Sequence, residues 1–200
     1  VKNQNAILDK LNIQQLNSMQ EEALLAIGPD TNTVILSPTG TGETLAFLLP
    51  LIKMLDPKCT QVQALILVPS RELAIQIDQQ IEGLSYFTEA TSLAIYGGGD
   101  GKSFDAEKKA LTTGADIVIC TPGRFISHLN MGYFNTAGVK HFILDEADRM
   151  LDMGFVRDIN KIISFMPAKR QNLMFSATFS KDIKKLAAGI LRNPVSVETA

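Results

Sequence analysis

A glycine-rich turn between an apolar strand and an apolar helix is the first segment whose residue types could do chemistry. In VILSPTGTGETLAFLLP, Gly40 and Gly42 would let the backbone approach an anion, and Thr44 would offer a hydroxyl group to a magnesium ion. Amide groups at the start of the following helix would point at the same anion. This geometry suits a nucleoside triphosphate. For the segment taken alone, an ordinary glycine-rich turn remains an alternative.

The residue before Thr44 departs from the strict phosphate-loop pattern. The pattern has Lys at this position, where its ammonium group meets the β- and γ-phosphates, and this sequence has Glu43. A negative charge therefore replaces a positive one beside the expected phosphates. The alternative is that Glu43 is a solvated first-turn residue, favourable to the helix dipole, in a protein whose loop no longer holds phosphate.

Two adjacent carboxylates follow another apolar strand, in HFILDEADRMLDMGF. Asp145 and Glu146 stand where an α/β fold exposes residues to its ligand, and neighbouring carboxylates there are costly without a cation. A magnesium ion held through one carboxylate and phosphate oxygens would supply that charge, and the other carboxylate could then orient and deprotonate a water molecule. A solvated acidic turn is the alternative interpretation.

The elements that must position these residues alternate along the chain. The predicted strands are Thr33-Ser37, Gln63-Pro69, Ser92-Tyr96, Ala115-Cys120, Lys140-Asp145 and Asn172-Ala177. The predicted helices are Asn17-Ile27, Glu43-Leu55, Arg71-Leu84, Ser103-Thr112, Gly123-Leu129, Phe155-Phe165 and Lys181-Leu191. Several strands are apolar almost throughout, as strands covered on both faces are. The pattern predicts an α/β fold with a central, mostly parallel sheet flanked by helices on both faces.

Composition is compatible with that fold and excludes several classes of protein. The 200 residues are 46% hydrophobic and 20% charged, so we expect a single globular domain over residues 1–200. No apolar run is long enough to span a bilayer, and we expect a cytoplasmic protein without a membrane partner. Cys59 and Cys120 have no partner spacing and are predicted to be buried, reduced thiols. The net charge of -2 neither supports nor excludes nucleic-acid binding.

Several short motifs together resemble the DEAD-box RNA helicases. Residues 145–148 read DEAD, residues 69–74 read PSRELA against the family's PTRELA, and residues 121–124 read TPGR. Gly97 and Gly98 match the family's glycine doublet, and residues 176–178 read SAT. The order and spacing also match over about residues 12–200. The resemblance implies an N-terminal RecA-like domain, the first of two domains in the family, with the second domain absent from this chain.

The resemblance also implies roles for individual residues. Asp145 would bind magnesium together with Thr44, Glu146 would act on the attacking water, and Asp148 would hold the SAT motif. Within that motif, Ser176 and Thr178 would couple the nucleotide state to domain closure. The nucleotide-binding residues implied are Gln20, Thr39, Gly40, Thr41, Gly42, Glu43 and Thr44. The cofactors would be ATP and Mg²⁺.

RNA-binding positions follow from the same resemblance. Arg71, Gly98, Thr121 and Arg124 match positions that grip the sugar-phosphate backbone of single-stranded RNA, with little sequence specificity. Each has a structural alternative: the two arginines could pair with Glu72 or Asp148 on the surface, and the glycine could merely permit a turn. The basic helix KDIKKLAAGILR is predicted to present a solvated lysine face rather than a nucleic-acid patch.

Gln20 has two compatible interpretations. It corresponds to the glutamine that reads adenine in the family, which selects ATP over GTP. It also stands three residues after Asn17, at the spacing of a capping box, and could cap the helix instead. No aromatic residue lies upstream of it to stack on a base.

The activity implied is that of an RNA-stimulated ATPase that couples ATP binding and hydrolysis to local unwinding of a duplex. The partners would be RNA, ATP and the second RecA-like domain, which carries arginine fingers. We expect Glu43 to impair ATP binding and turnover, and the isolated chain to be nearly inactive. Two alternatives remain: a hydrolysis-deficient RNA-binding or scaffold protein, which Glu43 favours, and an enzyme that acts on DNA, which the combined motifs disfavour.

Overall fold

The computed structural model describes residues 6, 9, 15–40, 42–84, 87–98 and 101–199, except the side chains of residues 101 and 102. Seven strands in this part of the chain form one sheet, in the order β3-β4-β2-β5-β6-β1-β7, and every pair of neighbours is parallel. The strands are β1 Thr33–Leu36, β2 Ala64–Leu67, β3 Ser92–Ile95, β4 Ile117–Cys120, β5 His141–Leu144, β6 Gln171–Ser176 and β7 Val195–Glu198. The predicted α/β fold with a parallel sheet is confirmed.

Eight helices connect these strands in the described residues. They are α1 Ser18–Ala26, α2 Glu43–Met54, α3 Arg71–Gly83, α4 Gly101–Thr113, α5 Pro122–Asn130, α6 Ala147–Asp152, α7 Val156–Ser164 and α8 Lys181–Ile190. Side-chain caps define several helix starts: the Ser70 hydroxyl accepts a hydrogen bond from Leu73 N, and the Ser180 hydroxyl accepts one from Ile183 N. None of these helices is long and apolar enough to cross a membrane.

The apolar strands separate two hydrophobic cores. In β2, Ala64 and Ile66 contribute to the core under α1, α2 and α3, whereas Leu65 and Leu67 contribute to the core under α5, α7 and α8. All four residues are fully buried. Successive strand residues point to opposite faces, so a strand covered on both sides must be apolar at every position. Complete burial of such a side chain contributes roughly 1.5 to 3 kcal/mol, which holds the strand ends in a fixed register.

Two elements were not predicted from the sequence. β7 is not among the predicted strands, but it pairs with β1 in parallel, with Val195 opposite Thr33. Only Val197 is buried in this edge strand, so its apolar signal is weak. The six-residue helix α6 follows the DEAD motif and buries only Ala147 and Met150, which is too short a pattern for helical periodicity to be visible.

The cysteine prediction is correct for one residue of two. Cys120 and Cys59 are both free. Cys120 is fully buried, and that burial raises the pKa of its thiol well above the usual value. Cys59 is only partly buried because it lies in the exposed turn after α2, so the prediction of a buried thiol at this position is wrong.

Candidate functional site

The predicted site residues follow two groups of neighbouring strands. The glycine-rich turn, the acidic pair and the SAT motif follow β1, β5 and β6, which are adjacent in the order β5-β6-β1. The predicted RNA-binding residues follow β2, β3 and β4, which are adjacent in the order β3-β4-β2. Because all strands are parallel, both groups lie at the carboxyl edge of the sheet, and they meet between β2 and β5.

The glycine-rich turn has the backbone geometry that its sequence predicts. Gly40 has φ +85° and Gly42 has φ +86°, in the left-handed region that favours glycine. Gly42 precedes α2 as its N-cap and has no side chain to cap the helix amides. A Cβ atom at Gly42 would lie 2.4 Å from Nε2 of Gln20, so the close approach also requires glycine. Thr41, a predicted nucleotide-binding residue, lies outside the described residues.

A cavity of about 410 Å³ brings most of the predicted nucleotide-binding residues together. Its lining includes the predicted residues Gln20, Thr39, Gly40, Gly42, Glu43, Thr44, Asp145 and Glu146. Leu73, Gln76 and Gln80 of α3 also line it, and sequence analysis missed their contribution. Their spacing of three and four residues places them on one helix face, which is the signal that was available. None of the described lining residues is Lys, Arg or His.

Asp145 is buried in this cavity, and none of the described residues forms an ion pair with it. Its side chain is 3% exposed, and Oδ1 accepts a hydrogen bond of 3.0 Å from Glu146 N. Burial, followed by the negative charges of Glu43 and Glu146, raises the pKa of the Asp145 carboxyl from 3.8 to about 7. The hydrogen bond from Glu146 N opposes that rise. The site therefore contains three neighbouring carboxyl groups, those of Glu43, Asp145 and Glu146, and a bound cation would stabilise their negative charge.

Glu146 adopts a backbone conformation that is rare for a residue with a side chain. Its φ is +51° and its ψ is +51°, at the turn from β5 into α6. Such a conformation costs on the order of 1 to 3 kcal/mol. The Glu146 carboxylate accepts a bond of 3.3 Å from Nη1 of Arg149, whose side chain is largely exposed. The turn thus aims Glu146 towards the cavity, and the surface ion pair contributes little.

The SAT motif contacts the end of the DEAD motif. Thr178 Oγ1 donates to Oδ2 of Asp148 over 3.3 Å, and Ser176 Oγ donates to the Thr178 carbonyl oxygen over 2.8 Å. A small cavity beside these residues is also lined by Glu43 and Asp145. The hydroxyl groups of the SAT motif thus lie next to the acidic end of the nucleotide cavity.

Gln20 both caps α1 and contacts the glycine-rich turn. Asn17 N donates to Gln20 Oε1, and Gln20 N donates to Asn17 Oδ1, each over 2.9 Å, which is a capping box. Gln20 Nε2 donates to the Gly42 carbonyl oxygen over 3.2 Å. The alternative role of Gln20, capping the helix, is therefore observed. Its place in the cavity lining leaves the prediction of adenine contact open.

Arg71 and Gly98 lie together at the RNA side of the edge. A Cβ atom at Gly98, which has φ +95°, would be 3.2 Å from Nη1 of Arg71. The side chain of Arg71 is 57% exposed, and its guanidinium lies 5.9 Å from the ring centre of Tyr96. Its contact with Glu72 is long, 3.8 Å between Nε and Oε1. Arg71 is consequently an accessible cation, and the expected surface pair with Glu72 is present but weak.

Arg124 is held differently, because a neighbouring carboxylate binds it. Its Nε donates to Oε2 of Glu107 over 2.9 Å, and its side chain is only 16% exposed. The guanidinium also lies 4.8 Å from the ring centre of Phe104, and Nη2 is buried without a hydrogen-bond partner among the described residues. The alternative of a surface pair with Asp148 or Glu72 is not observed for Arg124 among the described residues, because α4 places Glu107 against it. Thr121 precedes α5 as its N-cap, and its side chain makes no cap hydrogen bond.

His128 completes the cluster around Glu107. Its Nε2 lies 2.6 Å from the same Glu107 Oε2, and its Nδ1 is hydrogen-bonded to the Tyr133 hydroxyl. Phe104 stacks on the imidazole with 4.0 Å between ring centres. His128 has no metal-ligand spacing to another His or Cys in the sequence, which does not identify these partners either. Glu107 and His128 lie on different helices, 21 residues apart in sequence.

The lysines of α8 form the solvated face predicted for them. Lys181, Lys184 and Lys185 are exposed, whereas Ile183 and Leu186 are buried in the core. The helix therefore packs on the sheet through one face, and its positive charges point to solvent.

The donor set of the cavity fits a magnesium ion held jointly with phosphate oxygens. Asp145 supplies a carboxylate whose pKa is raised by burial and by the neighbouring negative charges, and Thr44 supplies a hydroxyl group. Groups of three or more His, Cys, Asp or Glu that could hold a metal by themselves do not occur among the described residues.

Comparisons with known proteins agree with the fold and motifs. A family model for the DEAD/DEAH box helicases matches residues 17–186. The chain is 38% identical over 188 residues to the ATP-dependent RNA helicase CshA of Listeria monocytogenes, which covers 94% of this chain and 35% of that protein. It is 36% identical over 191 residues to the ATP-dependent RNA helicase DbpA of Escherichia coli, covering 96% of this chain and 41% of DbpA.

Solved structures of relatives share the whole architecture. A DEAD box protein from the hyperthermophile Methanococcus jannaschii superposes with a TM-score of 0.92 at 34% identity, over 100% of this chain and 54% of that one. The S. cerevisiae protein dbp5, in a structure with nup159, gle1, ip6 and ADP, gives 0.85 at 30% identity over 98% and 51%. The chain thus spans about half of these chains or less. It belongs to the DEAD/DEAH box helicase family and corresponds to the RecA-like N-terminal domain of such helicases.

Proposed function

We propose that this domain binds ATP and the RNA backbone within an ATP-dependent RNA helicase, and that Glu43 impairs its use of ATP. The observation that carries the proposal is the convergence of the glycine-rich turn, Thr44 and the Asp145–Glu146 pair in one cavity of about 410 Å³. The names of the relatives, ATP-dependent RNA helicases, support the same activity. The place of action would be the cytoplasm.

In this proposal the cavity binds the triphosphate at the start of α2. Asp145 and Thr44 would hold a magnesium ion, which would supply positive charge to the phosphate oxygens. Glu146 would orient the attacking water and accept its proton, as its place in the cavity lining allows. Ser176, hydrogen-bonded to the Thr178 carbonyl oxygen, and Thr178, hydrogen-bonded to Asp148, would pass the state of the nucleotide to the second domain.

RNA would bind at the other half of the same edge. Arg71, Gly98 and the start of α5, with Thr121 and Arg124, would contact the sugar-phosphate backbone. The second RecA-like domain would bring the arginine fingers, which contribute on the order of 10³ to 10⁵ in rate for phosphoryl transfer. Alone, the domain would bind RNA weakly and hydrolyse ATP very slowly.

Glu43 opposes this use of the cavity. It adds a negative charge beside the β- and γ-phosphates, where a lysine would add a positive one. A pair of unit charges ~4 Å apart at an effective dielectric constant near 20 is worth ~4 kcal/mol, so exchanging attraction for repulsion costs several kcal/mol before relaxation and screening. The neighbouring Asp145, with its pKa raised to about 7, adds to the deficit of positive charge.

Titration of Mg-ATP against this chain and its Glu43→Lys variant tests the proposal. We expect the variant to gain at least tenfold in affinity, measured by isothermal calorimetry or a fluorescent ATP analogue. Glu43→Gln is the matched control, because it removes the negative charge without adding a positive one. It should gain less than Glu43→Lys. Equal affinity of all three proteins would mean that the loop no longer holds phosphate.

A second candidate is a hydrolysis-deficient RNA-binding or scaffold protein of DEAD-box ancestry. Glu43 in the phosphate cavity is the observation that favours it. A single-turnover ATPase assay on the full-length protein, with and without RNA, separates the two candidates. Turnover stimulated by RNA supports the helicase, and its absence in the presence of bound RNA supports the scaffold.

A further inference from the structure

A second, larger cavity lies at the opposite edge of the sheet. Its volume is about 1080 Å³, and it is lined by the segment before β1, the starts of β5 and β6, and the turn after α8. These are the amino ends of the strands, whereas the nucleotide cavity lies at their carboxyl ends. The family motifs quoted for the DEAD-box resemblance contribute nothing to its lining.

The cavity is strongly basic in a slightly acidic chain. Among the described residues, four cations line it, Lys140, Lys169, Arg170 and Arg192, against the single carboxylate of Asp30. The chain as a whole has 19 basic and 21 acidic residues. In the part of the chain that the structure describes, none of the four cations forms an ion pair. The positive charge of this cavity is therefore uncompensated.

Arg170 is fixed in position as a binding residue would be. Its Nε donates to Asn172 Oδ1 and its Nη1 donates to the Pro167 carbonyl oxygen, each over 2.9 Å. Its guanidinium lies 6.0 Å from the ring centre of Phe142. Neither bond uses Nη2, and a held guanidinium loses little further entropy when it binds an anion.

The anchor of Arg170 also places Arg192. Asn32 Oδ1 accepts a bond of 2.9 Å from Asn172 Nδ2 and one of 3.2 Å from Arg192 N. Burial, followed by the nearby charge of Arg192, lowers the pKa of Arg170. Two like charges thus lie close enough to repel each other, and an anion between them would relieve that repulsion.

We propose that this basic cavity is a docking site for an acidic peptide segment of a partner protein. Carboxylate side chains would pair with Arg170, Arg192 and the two lysines, while Met54 and Val139 in the lining would contact the peptide's apolar parts. The volume exceeds the usual ~300 to 1,000 Å³ of small-molecule pockets, which favours a peptide over a small anion. RNA fits less well, because the described lining residues include no Phe, Tyr or Trp to stack on bases.

The test uses a fluorescein-labelled decaglutamate peptide and fluorescence polarisation at low salt. The double variant Lys169→Glu/Arg192→Glu reverses two exposed cations and leaves the Arg170 anchor side chains intact. We expect it to lose at least tenfold in affinity for the peptide. The double variant Lys181→Glu/Lys185→Glu makes the same charge change on the solvated face of α8 and should lose less than twofold.

Three results would overturn the proposal. The first is the absence of peptide binding by the unaltered chain. The second is an equal loss in both double variants, which would indicate a general charge effect. The third is tighter binding of a labelled ten-nucleotide RNA than of the peptide, with the same loss in Lys169→Glu/Arg192→Glu, which would make the cavity a nucleic-acid site. Circular dichroism of both variants checks that they remain folded.

Discussion

The two halves of the carboxyl edge differ in the charges that surround their buried carboxylates. In the nucleotide half, after β5 and β1, Asp145 is 3% exposed, and the charges that raise its pKa are the negative ones of Glu43 and Glu146. In the RNA half, before β4, Glu107 is 8% exposed and is bonded to both Arg124 and His128. Among the described residues, Asp145 therefore has no cationic partner, whereas Glu107 has Arg124.

The nucleotide half therefore requires a bound cation, whereas the carboxylate of Glu107 in the RNA half already has its hydrogen-bond partners within the chain. A buried carboxylate with a pKa raised to about 7 is stabilised by any cation that enters, which is how magnesium and ATP would be recruited. Arg124, in contrast, must give up or share its bond to Glu107 before it can bind a phosphate. Arg71 is the freer of the two predicted RNA-binding arginines.

The largest expected effect is on ATP turnover, through Glu146. In a full-length protein with both domains and Lys at position 43, Glu146→Gln should leave ATP binding nearly intact and lower turnover by ~10² to 10⁴. The carboxylate is needed to accept the proton of the water, not to bind the nucleotide. Steady-state ATPase rates with RNA present, together with nucleotide affinity, measure both effects.

The matched control for that variant is Arg149→Ala. It removes the exposed partner of the Glu146 carboxylate, 3.3 Å away, and keeps the carboxylate itself. We expect its turnover to change less than tenfold, because surface ion pairs are worth ~0 to 1 kcal/mol. Normal turnover in Glu146→Gln would mean that the water is activated elsewhere.

The second largest expected effect is a dependence of the free energy of unfolding on pH, caused by Asp145. Its pKa is about 7 in the folded chain and near its ordinary value when unfolded, so the folded state binds more protons between about pH 4 and pH 7. Stability from this group therefore falls as pH rises through that window, by up to about 4 kcal/mol, and levels off above it. Urea unfolding of the original chain and of Asp145→Asn, without magnesium or nucleotide, measures the difference.

Asp145→Asn should match the original chain near pH 4 and be clearly more stable at pH 8. Glu43→Lys should recover part of the loss at pH 8, because Glu43 is the larger of the two charge contributions to the raised pKa. Parallel pH profiles for the original chain and Asp145→Asn would show that Asp145 is not the buried acid of this half.

The sequence predicts the nucleotide half better than the RNA half. The reason is the distance along the chain between each site residue and the residues that contact it. The glycine-rich turn, the strand before Asp145 and the capping box of Gln20 depend on neighbouring residues, and the structure has all three. The six predicted strands recur with ends shifted by at most two residues. Apolar patterns over a few residues determine these features, so they are visible without tertiary information.

The RNA half depends on contacts that the sequence does not display. Glu107 precedes Arg124 by 17 residues and comes from a different helix, so only the packing of α4 against α5 brings them together. The glutamines of α3 in the nucleotide cavity were missed for a similar reason, since their helix follows β2 and not β1. The assigned roles of all these residues remain predictions.

A smaller effect tests whether the Glu107 cluster is structural. Glu107→Ala leaves Arg124 and His128 without their shared acceptor, and breaking a buried pair of this kind costs ~3 kcal/mol. Urea unfolding at neutral pH measures the loss. Glu107→Gln, which keeps an acceptor oxygen and most of the shape, should lose less. A double-mutant cycle with Arg124→Ala should show coupling, whereas additive losses would show that the two residues act independently.

The smallest effect compares the two arginines in RNA binding. Both Arg71→Ala and Arg124→Ala should weaken every single-stranded RNA in similar proportion, because the expected contacts go to the backbone. Each phosphate contact to a single strand contributes ~0.7 to the slope of log affinity against log salt. Arg71→Ala should lower the slope by about that amount. Arg124→Ala should lower it less, since Glu107, 2.9 Å away, already offsets its charge.

The Glu107→Gln variant tests the difference between Arg71 and Arg124 by changing the partner of Arg124. It removes the negative charge beside Arg124 without touching either arginine, so we expect RNA affinity to rise severalfold and the salt slope to steepen. Fluorescence anisotropy with several unrelated RNA sequences, between about 50 and 200 mM salt, measures affinity and slope together. A strong preference for one sequence that Arg124→Ala abolishes would refute the backbone assignment. Unchanged affinity in Glu107→Gln, with Arg124→Ala weakened, would mean that Arg124 binds RNA without leaving Glu107.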